Sequence, residues 1–208
     1  MSKESYKMDM CNGPVLQKVI AFSLPLMLSS CLQLLFNAAD VIVVGRFAGS
    51  SSLAAVGSTT TIINLLTNLF IGFSIGANVN VALTLGNGDD KGTRDNVHTA
   101  VSVSLISGIA LVIIGVLTAR PFLTWMGTPD DVIGKATLYL TIIFIGMPSN
   151  MAYNFGSSIL RAMGDTKRPL YFLSAAGVLN IILNLIFVIL FRMDVAGVAL
   201  ATILSETL

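Results

Sequence analysis

Charged residues are scarce in this sequence, at 11% of 208 residues, against about 25% in an ordinary soluble domain. The formal net charge is only +1, so no basic surface points to a nucleic-acid partner. Histidine occurs once and cysteine twice, at Cys11 and Cys31, which favours neither a zinc site nor a disulfide framework. Nothing resembles a catalytic triad, and we expect a protein that is not an enzyme.

Long apolar runs take the place of the missing charge. Hydrophobic residues make up 54% of the chain, and the mean hydropathy is +0.84. About 20 consecutive apolar residues span a bilayer as a helix, whereas barrel strands show only about 10 alternating residues. The sequence therefore predicts an all-α, multi-pass membrane protein. Its six expected transmembrane segments lie at about 15–44, 53–85, 95–119, 132–160, 169–191 and 194–208.

The basic residues predict the orientation, because lysine and arginine concentrate on the cytoplasmic side. With a cytoplasmic N-terminus, eight of them face inward and four outward. The inner set is Lys3, Lys7, Lys18, Lys91, Arg94, Arg161, Lys167 and Arg168, and the outer set is Arg46, Arg120, Lys135 and Arg192. The first apolar run is too long for a cleaved signal peptide. The sixth segment is short of a full span, so we expect the chain to be part of a longer protein.

Asp40 is the only acid well inside a complete apolar segment. A charge at that depth costs about 2.5–3.5 kcal/mol on insertion scales, so a proton or a small cation is expected to neutralise it. Helical spacing places Asn180 and Asn184 on one face of the fifth segment, and Thr202 lies at a similar depth on the sixth. Carboxylate, amide and hydroxyl oxygens together suit a hard cation such as Na⁺. The alternative for the neutral residues is simple hydrogen bonding between helices.

Other polar or helix-breaking residues within the spans have predicted roles. Pro25 removes a backbone hydrogen bond and is expected to bend the first helix. A second group is interpreted either as the polar lining of a substrate cavity or as interhelical bonding: Gln33, Asn37, Asn150, Tyr153 and Asn154. Glu206 is a second coupling candidate if its helix continues, and a frayed terminal residue if the chain ends there.

Four stretches, in their order along the chain, resemble the multidrug and toxic compound extrusion (MATE) transporters: NAADVIVVGRFAGSSSLAAVG, GFSIGANVNVALTLGNGD, LRAMGDTKRPLYFLSAAGVLNIILN and GVALAT. The resemblance implies twelve helices in two six-helix lobes, of which this chain is the N-terminal lobe without the C-terminal one. It also implies a cation or proton site at Asp40, Asn180 and Thr202, and bending at Pro25. Asn184 stands where some branches carry a second acid, so a two-acid proton relay is not available here.

The function implied by this resemblance is antiport coupled to H⁺ or Na⁺, with cationic or amphipathic drugs exported by alternating access. The expected setting is the plasma membrane, and the coupling ion is the only cofactor. Expected partners are drug-like molecules, membrane lipid and the missing C-terminal lobe. Two alternatives remain open. One is an exporter of lipid-linked saccharides, which would favour inward-facing basic residues to meet phosphates. The other is a truncated fragment that inserts and transports nothing.

Overall fold

The computed structural model describes residues 14–207, and its regular structure in that range is entirely helical. Lys3, Lys7 and Cys11 lie outside the described residues. The helices are α1 (Val15–Val43), α2 (Ser50–Gly86), α3 (Asp90–Trp125), α4 (Asp130–Ile145), α5 (Met147–Ala162), α6 (Lys167–Leu185) and α7 (Asp194–Thr207). Short π-helical segments prolong α1 through Val44–Ala48 and α6 through Ile186–Leu190.

Four of these helices are long and apolar enough to cross a membrane: α1 with its extension, α2, α3, and α6 with its extension. The α4–α5 pair passes the same test as one broken span, bent by 48°. Helix α7 has 14 residues in the described range, fewer than the about 20 that a span needs. The described part of the chain therefore holds four candidate spans, or five with the bent pair.

The fourth predicted segment, at about 132–160, is divided where α4 meets α5. Pro148 lies in the first turn of α5, where its missing amide hydrogen interrupts no helical hydrogen bond. Gly146 precedes it, and a Cβ there would lie 2.4 Å from Cγ1 of Ile203 on α7. The glycine therefore allows α7 to pack directly against the bend, beside the start of α5.

The packed core lies among α2, α3, α4, α5 and α7, where Leu111, Leu140 and Phe144 are fully buried. Two glycines of α3 allow the close contact. A Cβ on Gly115 would lie 2.0 Å from Cγ of Phe144, and one on Gly108 would lie 2.5 Å from Cα of Pro148. The outer faces of the helices expose many leucines, isoleucines and valines, as helices surrounded by lipid do.

Candidate cation site

A close contact between α1 and α6 positions the polar side chains of the site. A Cβ on Gly177 of α6 would lie 1.9 Å from Cε2 of Phe36 on α1, so only glycine leaves room for this ring. Asp40 follows Phe36 by about one helical turn, and Asn180 follows Gly177 by about one turn. The two helices therefore approach each other where both carry polar groups.

A continuous hydrogen-bond network joins all four residues predicted for the cation site. Asn184 Nδ2 donates to Asp40 Oδ1 at 2.5 Å and to Asn180 Oδ1 at 3.1 Å. Asn180 Nδ2 donates to Thr202 Oγ1 at 3.3 Å, and the Thr202 hydroxyl donates to the backbone oxygen of Val198 at 3.0 Å. The network therefore connects α1, α6 and α7.

Burial makes this network an enclosed site. Asn184 is 0% exposed and Asn180 is 6% exposed, while Asp40 and Thr202 are half-buried. Asn184 Oδ1 is buried and accepts no hydrogen bond from the described residues. Such an unmatched acceptor costs about 1–3 kcal/mol, and a carbonyl oxygen in that position can serve as a ligand for a hard cation. Because the nitrogen of the Asn184 amide faces Asp40 here, an ion bound by both residues would require that amide to turn, and ion binding at this network stays a prediction.

Within residues 14–207, no three side chains of histidine, cysteine, aspartate or glutamate come together as a metal site. Cys31 is a free, exposed thiol. The hydrogen bonds bring Asp40 together with Asn184, Asn180 and Thr202, and the role of these residues as cation ligands stays a prediction.

Pro25 lies inside α1, and the helix continues on both sides of it. The hydroxyl of Ser29 donates to the backbone oxygen of Pro25 at 2.8 Å, one turn further along. The bending role of Pro25 stays a prediction.

The five residues predicted for a substrate cavity fall into separate places. Asn154 Nδ2 donates to Asn150 Oδ1 at 2.9 Å, so these two lie together on α5. Tyr153 instead donates its hydroxyl to the backbone oxygen of Pro169 at 3.2 Å.

Tyr153 also lines a cavity of about 330 Å³ between α5 and α6, with Ser157, Leu160 and Phe172 among its walls. Gln33 and Asn37 are exposed on α1, and no hydrogen bond in the described range joins them to the α5 pair. The cavity assignment of all five stays a prediction.

A further cluster, not predicted from the sequence, joins the N-terminal parts of α2, α4 and α7. Lys135 Nζ lies 2.7 Å from Asp194 Oδ2 and donates to Ser51 Oγ at 3.0 Å and Ser52 Oγ at 2.9 Å. The hydroxyl of Ser52 also donates to Asp194. Asp194 and Arg192 have positive φ angles of 54° and 53°, which are uncommon outside glycine. The only feature of the sequence that could have indicated this ion pair is that Lys135 and Asp194 both lie near the start of a helix.

Comparison with known proteins gives consistent matches. A sequence model of the MatE family matches residues 25–186. The probable multidrug resistance protein YpnP of Bacillus subtilis is 34% identical over 198 residues, which are 95% of this chain and 44% of that protein. The multidrug export protein MepA of Staphylococcus aureus is 27% identical, with 93% of this chain and 43% of that protein covered. A crystal structure of a MATE in the bent conformation matches with a TM-score of 0.87 and 29% identity, over 93% of this chain and 43% of that one.

These matches confirm the predicted all-α fold and the predicted resemblance. The chain spans less than half the length of each of these relatives, as expected of one lobe of a two-lobe transporter. Because the family match covers most of the sequence, the chain belongs to the MatE family, whose members are membrane transporters and not enzymes.

Proposed function

We propose that this chain is the N-terminal lobe of an antiporter that uses H⁺ or Na⁺ to export cationic or amphipathic drugs by alternating access. The network of Asp40, Asn184, Asn180 and Thr202 carries the proposal, because it links the carboxylate of an apolar helix to a chain of neutral amide and hydroxyl groups. The similarity to YpnP and MepA, a multidrug resistance and a multidrug export protein by name, supports drugs as the substrate class.

In the proposed cycle, the ion enters from the outside and neutralises Asp40. The bond from Asn184 Nδ2 then loses its anionic acceptor, and α1 is free to move relative to α6. Bending at or near Pro25 shrinks the cavity of the lobe and expels the drug. The proposed setting is the plasma membrane with a cytoplasmic N-terminus, which follows from the distribution of lysine and arginine.

Export of lipid-linked saccharides is less well supported. Such a substrate carries phosphate and would favour basic side chains at membrane depth. The lysines and arginines of the described range lie near the helix ends or in the connections between helices.

The test is efflux of ethidium from cells that make the intact protein, under imposed Na⁺ or pH gradients. One gradient is expected to accelerate efflux, and Asp40→Asn is expected to reduce that acceleration by at least about tenfold at an unchanged protein level. Asp95→Asn, which changes an exposed acid of α3, is the matched control and should export normally. Gradient-driven efflux of normal rate by Asp40→Asn would refute the proposal.

A further inference from the structure

Glu206 places a second carboxylate on α7, one helical turn beyond Thr202. At about 1.5 Å per residue, it lies roughly 18 Å along the helix from Asp194, close to the middle of a hydrocarbon core about 30 Å thick. An acid at that depth is costly unless a positive charge compensates it. In the described range no hydrogen bond links Glu206 to the Asp40 network, although the negative charge of Glu206 acts on Asp40 through space.

Asn150 on α5 is the hydrogen-bond partner of this acid. Its Nδ2 donates to Glu206 Oε2 at 3.1 Å, while its Oδ1 accepts from Asn154. Asn154 therefore fixes which way the Asn150 amide points, with its donor toward the carboxylate. The bend at Gly146 brings this part of α5 beside α7.

No basic side chain of the described residues compensates the charge. The ion pairs found among residues 14–207 join Lys135 to Asp194 and Arg168 to Asp165, and neither reaches Glu206. One carboxylate oxygen of Glu206 accepts from Asn150, and the other accepts no hydrogen bond from this range. The acid is thus held in place with most of its acceptor capacity unused.

Accessibility separates the two acids. Asp40 is half-buried behind the fully buried Asn184, which suits an ion the size of a proton or Na⁺. Within residues 14–207 Glu206 is exposed and at the same time surrounded by many protein atoms, as a side chain in an open cleft is, so a larger cation can reach it. The attraction between a carboxylate and a weakly hydrated organic cation is stronger in apolar surroundings than in water.

We infer that Glu206, held by Asn150, is the anionic anchor of the substrate cavity and binds the positively charged nitrogen of a lipophilic cation. The inference rests on the proposed function and adds to it the residue that recognises the substrate charge. Asn150 and Asn154 belong to the same site because they orient the carboxylate.

The test compares ethidium with its uncharged phenanthridine analogue, which lacks the N-ethyl group, in equilibrium binding to the purified intact protein. Glu206→Gln keeps the shape of the side chain and removes its charge. It is expected to weaken ethidium binding by at least about tenfold and binding of the analogue by less than about twofold. Thr207→Val is the matched control. It removes a hydrogen bond to Ser149 in the same α5–α7 contact and should leave both affinities within about twofold.

Equal weakening of both ligands by Glu206→Gln would show a structural role and overturn the inference, as would no weakening of either. A changed Na⁺ or pH dependence of export with unchanged ethidium affinity would assign Glu206 to ion coupling and also overturn it. The Asp40→Asn efflux test is independent of these outcomes. Failure of the proposed function is therefore distinguishable from failure of the Glu206 anchor.

Discussion

Asn184 is the central residue of the candidate cation site. It is fully buried and donates to both Asp40 and Asn180, and its own carbonyl oxygen accepts no hydrogen bond from the described residues. An asparagine can serve both charge states of the neighbouring acid, because its amide donates to a carboxylate while its oxygen can coordinate a cation.

Replacement of Asn184 by alanine is expected to weaken ion binding and to leave the fold in place. The carboxylate would lose its donor, and the site would lose a carbonyl oxygen. By analogy with the loss of residues that orient metal ligands, the ion concentration for half-maximal export should rise by about 10–100-fold. Ethidium export measured over a series of Na⁺ concentrations and pH values tests this expectation.

Asn180→Ala is the graded control, because in the described range Asn180 is joined to Asp40 only through Asn184. We expect a smaller increase in the half-maximal ion concentration for this variant. The proposed order of importance is wrong if Asn180→Ala has the larger effect, or if Asn184→Ala leaves the ion dependence unchanged.

The sequence predicted which residues of the cation site share a helix face, but not which helices contact each other. The spacing of Asn180 and Asn184 indicates that they share a face of one helix, and the depth of Asp40 makes it a candidate ion site. Which helices meet depends on packing between distant parts of the chain, such as the fit of Phe36 over Gly177. For the same reason the bond from Asn150 to Glu206 and the ion pair of Lys135 with Asp194 were not predicted.

At the scale of helices, glycines determine where two elements can touch. Gly115 faces Phe144, and Gly146 faces Ile203. Gly177 faces Phe36 and has the most direct link to function, because the α1–α6 contact precedes the cation site by about one turn. Gly134 on α4 is different, since a Cβ there would meet nothing within 4 Å.

Gly177→Ala is expected to push α1 away from α6 and thereby separate Asp40 from Asn184. Overpacking a tight contact costs about 1–3 kcal/mol, so the variant should unfold at a lower temperature and lose gradient-driven export. The double variant Gly177→Ala with Phe36→Ala removes the obstructing ring and should recover part of the export. Thermal unfolding in detergent and ethidium efflux are the two measurements.

Gly134→Ala serves as the control for adding a methyl group to a helix, and it should leave both measurements unchanged or slightly improve stability. If Gly177→Ala and Gly134→Ala behaved alike, or if removal of the Phe36 ring restored no export, the α1–α6 contact would not explain the loss of export.

The bend between α4 and α5 shows what an apolar run does and does not predict. The run at about 132–160 continues across Gly146, so hydrophobicity alone predicts a single helix. Pro148 was the one local signal of a break, because a proline inside a helix removes a hydrogen bond and crowds the preceding turn. The size of the bend, 48°, and the approach of Ile203 on α7 to Gly146 are tertiary features that the apolar run does not predict.

At the scale of the whole molecule, polar groups of the described residues form separate clusters in an otherwise apolar bundle. The Lys135–Asp194 cluster joins α2, α4 and α7 near their N-terminal ends, and the Asp40 network joins α1, α6 and α7 further from those ends. Under the proposed orientation the ion pair lies on the outer side of the membrane. Both side chains of the pair are only partly exposed, and a pair near the surface contributes about 0–1 kcal/mol, so we expect it to make a small contribution to stability.

The orientation can be tested by labelling single cysteines with a membrane-impermeant maleimide. In a background in which Cys11 and Cys31 are replaced by serine, Thr128→Cys lies between α3 and α4 and Asn87→Cys lies between α2 and α3. We expect Thr128→Cys to react in intact cells and Asn87→Cys to react only after permeabilisation, because the basic residues near Asn87 favour the cytoplasm. The reverse labelling pattern would show that the predicted orientation is wrong.

Uptake and release of a small cation by Asp40 is tested most directly by infrared difference spectroscopy of the intact protein. Spectra would be recorded at high and low pH and with and without Na⁺, for the parent protein and for Asp40→Asn. We expect a carboxyl signal that changes with pH or with Na⁺ in the parent protein and is missing from Asp40→Asn. An Asp40 carboxyl signal that responds to neither ion would contradict cation-coupled transport by this lobe.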